Sequence, residues 1–91
     1  MNPPDADEIL LGEILNGTKD FDTVAAQFSP DDFRSEKHRR IFTRMAELHE
    51  CGEPIDRVHV ANELMKHNEL DVCGGLSYLV KLSDYGEYQY G

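Results

Sequence analysis

Apolar residues recur along this chain at helical spacing in separate short runs, and no stretch keeps the two-residue alternation of a strand. The first run places Ala6, Leu10, Leu11, Ile14 and Leu15 at that spacing, behind Asp5 as a candidate N-cap. Asp7 and Glu8 suit the positive end of the helix dipole, and Asn16-Gly17 supplies the stop. Gly12 lies inside this helix, where glycine costs ~1 kcal/mol relative to alanine, so the pattern predicts that another helix approaches closely there. A shorter helix over residues 20–27 carries Phe21, Val24, Ala25 and Phe28 as its apolar set. Ser29-Pro30 reads as a cap followed by a first helical residue, opening one turn, and Phe33 is expected to plug the core.

The third helix has the clearest period. Ser35 stands at its cap, and His38, Ile41, Phe42, Met45 and Leu48 follow at i, i+3, i+4 and i+7. A histidine that opens a buried stripe reads as a hydrogen-bonded core residue. The stretch "GEPID" then turns the corner. Gly52 ends the third helix near Glu50 or Cys51, Pro54 blocks its continuation, Ile55 returns to the core, and Asp56 caps the fourth. That helix is expected to turn Val58, Ala61, Leu64 and Met65 inward and to stop near His67-Asn68. A single turn over residues 70–73 and the pair Gly74-Gly75 lead into the last helix, with Leu76, Leu79 and Leu82 inward and Tyr78 alongside. The tail "DYGEYQYG" has no apolar period and is expected to fray.

The pattern therefore predicts an all-α fold, a compact bundle of five or six short helices around one small core. Residues 1–4 form an N-terminal tail, residues 5–83 the helical domain, and residues 84–91 a frayed tail or the start of a linker. Ninety-one residues suit one domain. No run approaches the ~18 apolar residues of a membrane span. The start "MNPPDADE" has neither a basic nor an apolar signal region, so the expected compartment is the cytoplasm.

Composition narrows the chemistry. Eighteen acidic against nine basic residues leave a net charge of −9, a balance that opposes binding to phosphate backbones. Five of those nine basic residues nevertheless fall between Arg34 and Arg44, with Glu36 alone opposing them. Lys37, Arg40 and Arg44, on the expected exposed side of the third helix, are the candidate docking residues for an acidic partner. Two cysteines, Cys51 and Cys73, make no disulfide framework and read as free thiols. His49 lies near Cys51, but no CxxC or HxxxH spacing marks a zinc site. The aspartates from Asp20 to Asp32 fail as a calcium loop, because Ala25 stands where glycine is required and Asp31 where glutamate is. Gly74-Gly75 has no Lys-Ser/Thr after it and no strand before it, so it is no phosphate loop. With no GxSxG, HExxH or Walker motif either, the residues point to a non-catalytic, acidic interaction module without metal or cofactor.

The corner belongs to a longer pattern. From residue 31 the chain reads D-D-F, H-R-x-I-F, M-A-x-L, G-x-P-I-D, A-x-x-L and L-D-x-x-G-G-x-x-Y-L-x-x-L, with Leu11-Gly12 and Ile14-Leu15 upstream. Over residues 3–83 this resembles the N-terminal domain of the bacterial replicative DNA helicase family, the DnaB type. Carried over residue by residue, the signature comprises Leu11, Gly12, Phe33, His38, Ile41, Phe42, Gly52, Pro54, Asp56, Gly74, Gly75 and Leu79, mostly packing residues. The resemblance implies a collar domain of a hexameric ring, with other ring subunits, the helical domain of primase and a helicase loader as partners. ATP and Mg²⁺ are implied only for a downstream RecA-like motor, no part of which is in this sequence. Two departures stand out: the stretch before the first helix is shorter than in the family, and the helical hairpin that makes the family's strong dimer contact is missing. The chain alone is thus expected to be monomeric or weakly dimeric. The competing reading is a stand-alone helical adaptor or regulator of replication with the same fold, which continuation of the gene into a Walker A motif would exclude. A small DNA-binding protein is a third, and it predicts steeply salt-dependent binding.

Overall fold

The computed structural model describes residues 3–87. Among them are five α-helices, one 3₁₀ turn and no strand: α1 (Ala6–Leu15), α2 (Phe21–Ala25), the turn Pro30–Asp32, α3 (Glu36–Glu50), α4 (Arg57–Lys66) and α5 (Gly75–Tyr85).

Local chemistry sets the helix ends. Asp5 and Glu8 form a reciprocal capping box on α1: the Glu8 N–H donates to Asp5 Oδ1 at 2.8 Å and the Asp5 N–H to Glu8 Oε1 at 3.2 Å. Asp56 caps α4, accepting the His59 N–H at 2.8 Å. Ser35 holds the N-cap position of α3, but its side chain makes no cap hydrogen bond. Gly52 lies at φ 71°, and the corner closes as a Schellman motif, with the Glu53 N–H on the Leu48 carbonyl at 2.9 Å and the Gly52 N–H on that of His49 at 3.1 Å. The same motif ends α4 with Asn68 in the left-handed position, φ 57°.

The core gathers Leu11, Phe33, Ile41, Phe42, Met45, Leu64, Leu79 and Leu82, all nearly or fully sealed. Phe42 packs between Phe21 and Phe33 in tilted ring pairs, with centroids 5.2 and 4.9 Å away. The close approach predicted at Gly12 is made by α5: a Cβ there would lie 1.8 Å from the Leu82 carbonyl oxygen, and one on Gly86 would lie 2.4 Å from the Gly12 carbonyl carbon.

Several expectations are corrected. α4 turns Val60, Ala61 and Leu64 inward, leaving Val58 and Met65 each 60% exposed. Ala61 and Leu64 belong to both stripes, and contact with α3 and α5 together selects the one through Val60. Leu76 is 48% exposed, because α5 presents Leu79, Leu82 and Ser83 to the core. In α1, Ile9 is buried while Leu10 is half-buried and Ala6 exposed. α2 stops at Ala25, which is exposed, and Phe28 falls outside the helix and stays partly exposed. α5 runs on through Tyr85 to a buried Gly86, so the expected domain edge at residue 83 lies inside a helix held by Gly12. The rest of the expected C-terminal tail, 88–91, and residues 1–2 lie outside the described residues.

Candidate interaction surface on helices α3 and α4

The basic run of α3 meets carboxylates from three places. Arg44 Nη1 lies 2.6 Å from Glu47 Oε1 one turn on, and its Nε lies 3.0 Å from Glu69 Oε1 in the turn after α4. The side chains of Arg44 and Glu69 are only 13% and 14% exposed. Arg40 reaches Glu36 at 3.3 Å and Glu69 at 3.6 Å. Arg39 donates to the Phe33 carbonyl at 2.8 Å, tying α3 to the chain before it. Lys37 places its ammonium 4.0 Å from the centre of the Tyr78 ring.

The expectation of three exposed cations is therefore corrected for Arg44. It is a strut between α3 and the turn that leads to α5, and truncating it would leave Glu69 largely buried without that partner. Lys37 is half-buried over Tyr78, and Arg40 keeps 38% of its side chain exposed. Glu69, which holds two of these arginines, gave no sequence signal, since it comes from beyond the fourth helix.

Beside this network a groove of about 700 Å³ runs between the C-terminal half of α3, the Gly52 corner and α4. Leu48 floors it, Met65 and Cys51 line it, and Glu47, Glu53 and Glu63 supply acidic walls. Lys66 pairs with Glu63 at 2.9 Å, and that ammonium holds the Glu63 carboxyl below its ordinary value. Asp56 lies at the corner as a cap, its Oδ1 also 2.8 Å from His59 Nδ1. Partial burial raises its pKa, but the His59 N–H and ring outweigh that and bring it below the usual carboxylate value.

Beneath Lys37 a hydrogen-bonded chain through Tyr78 joins three helices. The Tyr78 hydroxyl donates to Glu8 Oε2 at 2.8 Å and lies 2.7 Å from His38 Nε2. With the phenol proton committed to Glu8, the imidazole is the donor in the second bond. His38 is buried, and that burial lowers its pKa against the opposing pull of Asp5, Glu8 and Asp7. Burial, reinforced by Glu8, pushes the Tyr78 phenol far above its ordinary value. Among the described residues no serine, threonine or cysteine hydrogen-bonds to a histidine, so no nucleophile–base pair is assembled. The Cys73 thiol is buried, raised by that burial, and 3.8 Å from the Lys37 carbonyl, while Cys51 is exposed.

A family model described as the DnaB-like helicase N terminal domain matches residues 1–89. The replicative DNA helicase DnaB of Buchnera aphidicola subsp. Schizaphis graminum is 34% identical over 79 residues, 87% of this chain and 17% of the relative. The replicative DNA helicase DnaC of Bacillus subtilis is 32% identical over 80 residues, 88% of this chain and 18% of the relative. The crystal structure of the N-terminal domain of DnaB helicase from Mycobacterium tuberculosis superposes with a TM-score of 0.85 at 31% identity, over 93% of this chain and 60% of that one. The chain thus spans less than a fifth of the length of these curated relatives.

Proposed function

The chain belongs to the DnaB-like helicase N-terminal domain family, and from that premise we propose that it serves as the N-terminal, protein-binding domain of a replicative DNA helicase. In this reading it contributes to assembly of the helicase ring and docks the helical domain of primase, with a helicase loader as a further partner. Unwinding and ATP hydrolysis belong to a motor outside these 91 residues, which contain no Walker motif. The observation that carries the reading is a likeness spanning almost the whole domain in both sequence and fold. A DNA-binding role fits less well, because the net charge is −9 and the α3 arginines Arg40 and Arg44 already face carboxylates.

The docking face in this proposal is the exposed flank of α3, through Lys37 and Arg40, with the adjoining α3–α4 groove; Arg44 supports it from beneath. Calorimetric titration with the cognate primase helical domain tests it. Binding should weaken about tenfold, ~1.4 kcal/mol, when Lys37 and Arg40 are both changed to Glu, with the helical circular dichroism unchanged. Unaltered affinity in that variant would remove the assignment of the face, and no binding by the wild type would remove primase as the partner.

A further inference from the structure

We infer that Glu47, Glu63 and His67 form a site for a borderline divalent transition-metal ion, Zn²⁺ by preference, that clasps α3 to the end of α4. Each offers one ligand atom, and the three atoms all lie within 4.8 Å of one another. Glu63 and His67 stand four residues apart on α4 and its cap, so both project from one face, and Glu47 meets them from α3. His67 Nε2 and Glu47 Oε1 are already 3.8 Å apart. With bonds of ~2.1 Å, ligands around a tetrahedral ion lie roughly 3.4 Å apart, so small side-chain rotations close the set.

Two carboxylates converge here across a helix seam although like charges repel. Arg44 and Lys66 hold them, each on one oxygen: Arg44 on Glu47 Oε1 at 2.6 Å and Lys66 on Glu63 Oε1 at 2.9 Å. Neither Oε2 accepts a hydrogen bond among the described residues. Lys66 leaves Glu63 Oε2 open to a metal. At Glu47 the oxygen nearest His67 is the Oε1 that Arg44 holds, so the ion takes Glu47 Oε2 by a turn of the carboxylate and Arg44 stays on Oε1 as an outer-shell partner. His67 and Glu47 are 45% and 43% exposed, so the site opens to solvent and leaves a fourth position for water. One imidazole nitrogen and two carboxylate oxygens suit Zn²⁺, Co²⁺ or Ni²⁺, whereas Mg²⁺ and Ca²⁺ select oxygen-only sets with more ligands. The sequence shows two of the three ligands as Glu63-x-x-x-His67, and the third comes only when α3 packs against α4.

The test uses the 91-residue chain with ZnCl₂, MgCl₂ or CoCl₂ and no partner protein, so its failure would not touch the primase reading. Zn²⁺ should raise the melting temperature and Mg²⁺ should not. His67→Ala and Glu63→Gln should melt like the wild type without metal and bind Zn²⁺ at least about tenfold more weakly, since outer-shell changes alone cost that much. Cys51→Ser, in the same groove, should bind as the wild type does. Should His67→Ala unfold, His67→Gln replaces it, and the Co²⁺ spectrum reads the ligands directly. Absence of a Zn²⁺-dependent rise, an equal rise in both ligand variants, or a Co²⁺–thiolate band that vanishes in Cys51→Ser would each overturn the site.

Discussion

Where α1 meets α5, glycine stands in place of side chains. Gly12 and Gly86 let the two backbones touch, and the Glu8–Tyr78–His38 chain fastens the same seam to α3. Where α3 meets α4, Val60 and Leu64 are sealed in the core, and above them a groove floored by Leu48 is rimmed by the charged side chains of Glu47, Glu53, Glu63 and Lys66. The first seam spends its residues on closure. The second leaves side chains within reach of solvent, which is what a partner or an ion requires.

The largest effect expected falls on the closed seam. Gly12→Ala sets a Cβ 1.8 Å from a carbonyl oxygen that cannot swing aside, and should cost ~3 kcal/mol, the upper end for overpacking. Urea denaturation reads it, and a loss under ~0.5 kcal/mol would mean that the two backbones do not pack in contact at this seam. Next is Tyr78→Phe, which strips the hydroxyl from between His38 and Glu8 and should cost ~2 kcal/mol for two partners left unmatched.

The same chain predicts a pH dependence. The His38 pKa is lowered in the folded state, so below the ordinary value of 6.5 the unfolded chain takes up the proton first. Stability from this residue is therefore complete above pH 6.5 and is lost as pH falls from there through the lower folded value. His38→Gln should flatten that part of the stability profile, and an unchanged slope between the two proteins would show that His38 is not held neutral.

The smallest effect belongs to the open seam. Asp56→Ala removes the α4 cap and should cost ~1 kcal/mol while leaving primase affinity unchanged. Loss of binding at full stability would instead make Asp56 a contact residue.

The two seams were unequally legible in the sequence. Gly12 announced a close helix approach, and Gly52, Pro54 and Asp56 announced the corner, because each answers to a backbone requirement within a few residues. His38 was readable as a buried histidine from its place in the α3 stripe. Its partners were not, since Tyr78 and Glu8 lie 40 and 70 positions apart from it and from each other, respectively. On α4 the apolar pattern was ambiguous by about half a turn: Val58, Val60 and Met65 flank the shared Ala61 and Leu64, and only packing chose between them. Arg44 looked like a docking cation because local sequence shows a helix face and not what covers it. Glu69, from the turn after α4, covers it.

Mapping backbone amide shifts of the chain on titration with the cognate primase helical domain tests the division between the seams most directly. Changes are expected along the outer flank of α3 and around the groove, at Lys37, Arg40, Glu53 and Met65, with Gly12 and Gly86 unmoved. Changes centred on Gly12 and Gly86, with α3 and α4 silent, would contradict it.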